Sequence, residues 1–281
     1  MRRRLVRLLV VLGLAVVFAQ FVVVPAVGIA LAAYAPKHAV TLPGLREVRF
    51  PARDGVTLAG SYAAPRNGAA VVVLHGSHGD RTDTARHVAL LRRLGYGVLA
   101  VDARGHGESG GRANALGWRG VDDVAGAVAY LRAHGARRVA ALGLSMGAEE
   151  ALRAAADGVR LDAVVADGAG ASTLGDRDLV EHGLLKPIAV GAGWLAMRGI
   201  EVATWAHEPQ PLADAVRRVA PPTLLIASDA KDEAAFDSEL ARRIEHAQLL
   251  RLHVEHTEGL RTKPTTYGRR VAGFLALALA E

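Results

Sequence analysis

The stretch Gly143-Leu144-Ser145-Met146-Gly147 places a serine between two glycines, where one sequence pattern gives way to another. An apolar run, 138–142, precedes it, and an alanine-rich, helix-forming run, 148–156, follows it. A serine on a tight strand-to-helix turn presents its oxygen at the carboxyl edge of a sheet, and flanking glycines remove side chains that would clash there. The pattern predicts Ser145 as a nucleophile. The simpler alternative is a turn serine that caps the following helix.

A serine hydroxyl is a weak nucleophile near neutral pH, so it needs a base, an acid that orients the base, and N–H donors for the developing oxyanion. The candidate base is His256, on the loop after the last predicted strand, because such loops at the carboxyl edge of a sheet carry reactive side chains. His253 is predicted within that strand and is the second choice. The alternative for either residue is an ordinary surface histidine.

The acid is sought on the loop 227–233, which follows the penultimate predicted strand and offers three carboxylates. Asp232 and Glu233 are the favoured pair, since Asp229 lies close to the strand end. Asp167, at the end of the preceding strand, is an outside candidate. The sequence alone leaves the choice between these carboxylates open.

The oxyanion donors are expected from two backbone N–H groups. A glycine-rich turn, His75-Gly76-Ser77-His78-Gly79, follows the first buried strand and can aim the N–H of Ser77. The second donor would be the N–H of Met146, directly after the nucleophile. His75 is predicted to be structural rather than catalytic, and His78 is a weaker candidate for lining the site.

These residues must be positioned by an alternation of strands and helices. Eight strands are predicted, at 47–51, 56–63, 69–74, 98–102, 139–142, 161–167, 222–227 and 249–254. From residue 84 onward, helical segments alternate with them, near 84–94, 121–134, 146–156, 233–246 and 265–280. Such alternation predicts a mostly parallel sheet with helices on both faces. The stretch 168–212 interrupts the rhythm and is predicted to be an insert over the sheet edge.

The order serine, acid, histidine is that of the α/β-hydrolase fold. From about Glu47 to Ala280 the chain resembles α/β-hydrolases of the serine esterase or peptidase type. The resemblance rests on four segments of the sequence: 74–79, Asp102-Ala103-Arg104-Gly105-His106-Gly107-Glu108-Ser109, 143–147, and the tail from His256 to Leu275. It implies Ser145 as nucleophile, His256 as base, and residues 168–212 as a small helical cap that determines the substrate.

The expected activity is cleavage of an ester, with an amide as the lesser alternative, in a small or acyl substrate through an acyl-enzyme. Two other functions stay open, a non-catalytic binding protein with this fold and an acyltransferase. The sequence departs from the family where Ala227-Ser228 replaces an expected glycine, which leaves the register of the acid undecided, and where Ala148 replaces a common glycine. No pattern for a metal, nucleotide or flavin is present, so no cofactor is expected.

The amino end carries a second signal. Leu5 to Ala33 contains no charge except Arg7, and about 20 apolar residues span a bilayer core of roughly 30 Å. Arg2, Arg3, Arg4 and Arg7 lie before or early in this run, which predicts a cytoplasmic amino end and an extracytoplasmic hydrolase domain. Residues 1–35 are therefore expected to be a signal anchor and 36–281 the domain, with Pro36–Gly44 as linker. A cleaved signal peptide and a buried core helix are the alternatives.

The net charge of +6 falls to +2 when those four arginines are set aside, and no basic block remains. Nucleic acid is therefore not an expected partner. The chain has no cysteine, which excludes disulfides, thiolate metal sites and a cysteine nucleophile. The oligomeric state is not predicted by any of these features.

Overall fold

The computed structural model describes residues 2–33, 41–112, 114, 116–180, 186–230 and 232–280. Eight strands form one sheet: β1 Arg46–Pro51, β2 Thr57–Ala63, β3 Ala69–Leu74, β4 Gly97–Val101, β5 Arg138–Leu144, β6 Ala163–Asp167, β7 Thr223–Ala227 and β8 Ala247–Arg251. Their order across the sheet is β1-β2-β4-β3-β5-β6-β7-β8. The β1–β2 and β2–β4 pairs are antiparallel and the other neighbours are parallel, which confirms the predicted mostly parallel sheet.

The α-helices of the described residues are α1 Arg2–Phe18, α2 Val24–Ala33, α3 Ala85–Arg93, α4 Gly120–Ala133, α5 Met146–Ala156, α6 Leu174–Val180, α7 Lys186–Thr204, α8 Leu212–Ala215, α9 Glu233–Arg243, α10 Gly259–Thr262 and α11 Pro264–Ala278. Helix α5 has the predicted bounds. A proline at the first position of α11 suits the helix start, because its missing N–H would have no partner there.

Two apolar layers cover the faces of the sheet. On one face, α4, α5 and α9 contribute Val124, Leu152 and Phe236, among others. On the other, α3 and α11 contribute Leu91 and Phe274. Strand β3 is fully buried between the two layers, which explains why its sequence is a continuous apolar run rather than an alternating one.

Strand β8 differs from the prediction, because it ends at Arg251 and not at Val254. The chain turns there, with the Leu252 N–H donating to the Ala227 carbonyl at 2.9 Å and the Val254 N–H donating to the Leu252 carbonyl at 3.0 Å. The prediction that His253 lies within the strand is therefore wrong, and this residue stands on the loop that follows.

Helices α6, α7 and α8 lie between β6 and β7, and α6, α7 and the first residue of α8 fall within the stretch 168–212 predicted as a cap. Residues 181–185 of that stretch lie outside the described residues. The 19-residue helix α7 contains Gly191, Gly193 and Trp194, and Trp205 follows it directly. This helix packs against α2 at the amino end of the chain.

Helices α1 and α2 are joined by a wider, π-helical turn at Ala19–Val23. Pro25 follows it, and a proline cannot donate the backbone hydrogen bond of a regular α-helix. Within this helical run, Leu9–Ala30 is the one segment of the described residues that is long and apolar enough to cross a bilayer, with 22 residues and a mean hydropathy of 2.6. Residues 34–40, which include the start of the predicted linker, lie outside the described residues.

Candidate active site

Ser145 occupies a strained turn between β5 and α5. Its backbone has φ 53° and ψ −115°, a conformation that residues other than glycine rarely adopt. The space around the turn is as tight as the glycines suggested. A Cβ atom at Gly143 would lie 2.5 Å from the Ala148 nitrogen, and one at Gly147 would lie 2.6 Å from the Leu74 Cβ. The turn therefore requires both glycines, and the structure places Ser145 at the carboxyl edge of the sheet.

His256 lies on the loop after β8, and its Nδ1 contacts Glu233 Oε2 at 2.6 Å. The other oxygen of Glu233, Oε1, accepts the Ser228 N–H at 2.6 Å. The Glu233 side chain is 6% exposed and that of His256 is 44% exposed, so a buried carboxylate lies beneath a partly exposed histidine. Since a carboxylate can only accept, Nδ1 carries the proton of this bond and Nε2 is left to accept another.

The choice between Asp232 and Glu233 depends on where α9 begins. Asp232 has a left-handed backbone, φ 66°, directly before the helix, and Glu233 is the first helical residue. This turn aims Glu233 at His256. Asp229, the third carboxylate of the same loop, instead contacts the Nδ1 of His253 at 3.0 Å. The His253 side chain is 95% exposed, so this second histidine–carboxylate pair lies on the surface.

In the His256–Glu233 pair, the pKa of each residue is shifted in the direction that favours its charged form. The hydrogen bond to Glu233 raises the pKa of His256, against the opposing effect of partial burial. Burial opposes ionisation of Glu233, but the hydrogen bonds from His256 and Ser228 outweigh it, and the pKa of Glu233 is lowered. The pair is therefore suited to stabilise an imidazolium whenever His256 accepts a proton.

Ser145 and His256 each lie against the same backbone segment, 167–168, at the end of β6. The Ser145 N–H donates to the Asp167 carbonyl at 2.8 Å. A Cβ atom at the next residue, Gly168, would lie 3.0 Å from His256 Nδ1. Among the described residues the Ser145 hydroxyl makes no hydrogen bond, to His256 or to any other group. Catalytic hydrogen bonds are often long before substrate binds, so this geometry is compatible with a proton transfer between the two.

Asp167 and Asp237 join Glu233 in what we call the buried acid cluster. Burial raises the pKa of Asp167 to about 7, although the Tyr267 hydroxyl donates to its Oδ2 at 2.8 Å. Asp237 lies one turn after Glu233 on α9, and its oxygens accept no hydrogen bond from any described residue. Burial, together with the nearby carboxylates, raises the pKa of Asp237 well above its ordinary value. The cluster thus concentrates its negative charge on Glu233, the member that contacts His256.

The predicted oxyanion donors lie beside Ser145. A Cβ atom at Gly76 would be 3.4 Å from the Ser145 Cβ, so the glycine-rich turn runs against the serine. Ser77 and Ser145 line the same cavity of about 320 Å³. Within the described part of the chain, the N–H groups of Ser77 and Met146 donate to no protein acceptor. Both groups are therefore available to a ligand in this cleft.

The segment 102–109 packs against the glycine-rich turn 75–79. His75 Nε2 accepts the Ala103 N–H at 3.0 Å and Nδ1 lies 2.6 Å from the Gly76 carbonyl, which fits the structural role predicted for it. Arg104 is buried and pairs with Asp123 and Asp54. These bonds hold the loop in place beside the glycine-rich turn.

No sequence pattern singled out Tyr267 or Asp237. Both occupy ordinary positions on the inner faces of helices, and an acidic residue one turn after a candidate acid was the only available signal. No group of three or more histidine or carboxylate side chains arranged to hold a metal ion occurs in the part of the chain that the structure describes.

Comparison with known proteins agrees with this architecture. Residues 65–176 match the model of the serine aminopeptidase S33 family. An uncharacterized protein of Mycobacterium tuberculosis is 36% identical over 85 residues, which cover 29% of this chain and 30% of that relative. The aligned region therefore spans less than a third of the relative's length.

Solved structures extend the likeness over most of the chain. An esterase of Pyrococcus furiosus is similar with a TM-score of 0.68 and 21% identity, covering 86% of this chain and 97% of that one. An alpha/beta hydrolase from Penicillium has a TM-score of 0.64 and 18% identity, covering 84% and 99%. A proline iminopeptidase of Mycobacterium smegmatis has a TM-score of 0.59 and 17% identity, covering 83% and 98%. The chain therefore has the α/β-hydrolase fold, and its residues 65–176 resemble the serine aminopeptidase S33 family.

Proposed function

We propose that the chain is a serine hydrolase that cleaves an ester bond, with an amide bond as the alternative, in a small or acyl substrate. The observation that carries the proposal is the His256–Glu233 contact of 2.6 Å beside a serine on a strained strand-to-helix turn. A turn serine that only caps a helix would need neither partner. Ser145 in fact makes no side-chain cap bond to α5.

In the proposed reaction, His256 Nε2 takes the proton of the Ser145 hydroxyl as Oγ attacks the carbonyl carbon of the substrate. Glu233 stabilises the imidazolium through Nδ1. The N–H groups of Ser77 and Met146 hold the oxyanion of the tetrahedral intermediate. His256 then gives its proton to the leaving alcohol, which departs and leaves Ser145 acylated. Water, deprotonated by His256, releases the acid and restores the serine.

We also propose that Leu9–Ala30 anchors the enzyme in a membrane and that the hydrolase domain lies outside the cytoplasm. The segment is about 33 Å long at 1.5 Å per residue, which matches a bilayer core of about 30 Å. Only 6% of it is buried against the rest of the chain, which distinguishes it from a core helix. The arginines that precede it favour a cytoplasmic amino end.

The nucleophile is tested with Ser145→Ala and, as a matched control, Ser238→Ala on α9. We expect the wild-type chain and the control to turn over p-nitrophenyl acyl esters and to be labelled by a fluorophosphonate probe, and Ser145→Ala to do neither. A wild-type chain that shows neither activity nor labelling would contradict the proposal. Adding alcohols as acceptors tests for acyl transfer, because an acyltransferase forms a new ester in place of the free acid.

The location is tested by fractionating cells that express the full chain. We expect the chain to stay in the membrane pellet after an alkaline carbonate wash, and protease added outside the cytoplasmic membrane to digest the domain. A soluble chain that lacks the first 30 or so residues would instead indicate a cleaved signal peptide.

A further inference from the structure

Helix α7 of the cap packs side by side with α2 through small residues. A Cβ atom at Gly191 would lie 3.5 Å from the Phe21 ring, and a Cβ atom at Gly199 would overlap the Ile29 side chain. Gly28 approaches Ala196 in the same way, with a separation of 3.8 Å for a Cβ atom at Gly28. Small residues that let two helices approach closely are typical of helix pairs within membranes.

The register of this pair sets the depth of α7 along the candidate span. The steps from 21 to 29 and from 191 to 199 are equal, so the two helices run parallel and level with each other. Phe21 is nine residues before Ala30, where the span ends, or about 14 Å. Half of a bilayer core is about 15 Å. Gly191 is therefore level with the middle of the span, and Gly199 with its end.

Exposed apolar side chains lie along most of α7, including Val202 beyond Gly199. Val190, Trp194 and Leu195 belong to the first part of the helix and are exposed, with Trp194 53% exposed. Met197 and Ile200 are buried against Trp118 on the other side of the helix. An exposed apolar face on a helix beside a membrane span would be unfavourable in water and favourable in lipid.

Charged residues appear where the span ends. Arg198 pairs with Glu201 at 2.6 Å and with Glu208 at 2.8 Å. Just beyond the helix, Trp205 is 71% exposed and carries the Arg112 guanidinium 4.6 Å above its ring. Tryptophan and arginine together are typical of the boundary between a bilayer core and its headgroups.

We propose that α7 is inserted beside α2 into the membrane, with its part from Gly191 onward in the leaflet on the domain's side and a phospholipid bilayer covering its exposed apolar face. Val190, Trp194 and Leu195 then contact acyl chains, while Arg112 and Trp205 lie among the headgroups. The cap is thereby a second membrane element and not a lid in water. This inference rests on the membrane anchor proposed above and is independent of the chemistry at Ser145.

The chain's three tryptophans allow a direct test, since Trp118, Trp194 and Trp205 are the only ones in the sequence. Full-length variants that keep one tryptophan each, with phenylalanine at the other two positions, are reconstituted in phosphatidylcholine vesicles brominated along the acyl chains. We expect Trp194 to lose most of its emission to bromines placed deep in the chains, and Trp205 to bromines placed close to the headgroups. Trp118, which is buried, should be quenched least.

The matched control is a lone tryptophan introduced by Leu277→Trp, at an 81% exposed position on α11, which packs against β6. It should be quenched by aqueous iodide and not by brominated lipid. If Trp194 behaves like this control, α7 faces water and the inference is overturned. If neither quencher reaches Trp194 and the chain cross-links to itself, a second copy covers the helix and the inference is equally overturned.

Loss of Leu9–Ala30 from the membrane-bound chain, seen in its intact mass, would also overturn the inference. Fluorophosphonate labelling of the same vesicles separates this test from that of the proposed function. Lipid quenching without labelling refutes the hydrolase and leaves the insertion standing, and labelling without lipid quenching does the reverse.

Discussion

Replacing Glu233 by glutamine removes a negative charge from the contact with His256 and keeps the size of the side chain. A glutamine whose oxygen retains the Ser228 N–H turns its NH₂ group toward His256 Nδ1. Nδ1 must then accept a hydrogen bond, which places the ring proton on Nε2. That nitrogen can no longer take the proton of Ser145. The substitution thus reverses the tautomer as well as removing the charge.

The magnitude follows from two contributions. A hydrogen bond to a charged group contributes about 1.5–3 kcal/mol, and the 44% exposure of His256 places this one toward the lower figure. This alone corresponds to a loss of about tenfold. A wrong tautomer in a comparable serine–histidine–aspartate site lowers kcat by about 10⁴-fold. We expect Glu233→Gln to lower kcat/KM between about 10²- and 10⁴-fold.

The pH dependence should shift as well. His256 acts as a base only when it is neutral, so kcat/KM rises as the pH passes upward through the pKa of this histidine. Glu233 raises that pKa, and the variant therefore loses the increase. The acidic limb of the residual activity should move to lower pH, measured with a p-nitrophenyl ester between pH 4 and 9.

Two isosteric variants are the controls. Asp232→Asn changes the carboxylate next to Glu233, and Asp229→Asn changes the one in the exposed pair with His253. Both should retain kcat/KM within a few-fold, and thermal unfolding should show that all three variants are folded. Near wild-type activity in Glu233→Gln, or a large loss in Asp229→Asn, would refute the assignment of Glu233 as the acid.

Two further predictions concern the surroundings of the pair. Gly168→Ala forces a φ of +70° on alanine and brings a Cβ within 3.0 Å of His256 Nδ1, so this variant should lower kcat by about 10²-fold. The control is Gly158→Ala, where φ is +80° and the surrounding space is open, and this variant should lose stability but keep its kcat. Unchanged kcat in both would show that Gly168 does not position the histidine. Above about pH 4 the folded wild type keeps a proton on Asp237 that the unfolded chain releases, so its free energy of unfolding falls as the pH rises. Asp237→Asn lacks this proton, and its free energy of unfolding should therefore gain on that of the wild type by up to ~1.4 kcal/mol per pH unit. Urea unfolding from pH 5 to 8 measures this, and a pH-independent difference would contradict it.

Much of the fold could be predicted because the strands are short apolar runs separated by turns, and the nucleophile because its signature is local. The bounds of α5 were predicted correctly for the same reason. The end of β8 was not, because the sequence stays apolar at Leu252 and Val254 while the backbone turns toward β7. The bounds of helix α7 were not predicted, because glycines are more typical of loops than of helices. In the structure these glycines contact another helix, so they reflect packing.

The carboxylate partner of His256 could not be chosen from the sequence for a geometric reason. Asp232 and Glu233 are adjacent, and a left-handed residue between β7 and α9 decides which of them faces the histidine. Nothing in the identity of an aspartate specifies that conformation. The buried acid cluster could not be predicted either, because it forms only when α9 and α11 pack at the end of β6.

The backbone at Ser145 has a consequence for how such a chain can evolve. A non-glycine residue in a conformation of this kind costs on the order of 1–3 kcal/mol, a sizeable share of the 5–15 kcal/mol by which domains are stable. Glycine would occupy the position without that strain, so selection for stability alone would remove the hydroxyl. Ser145→Gly is thus expected to arise readily in lineages that no longer need the chemistry, and such descendants should melt at higher temperatures than their active ancestors.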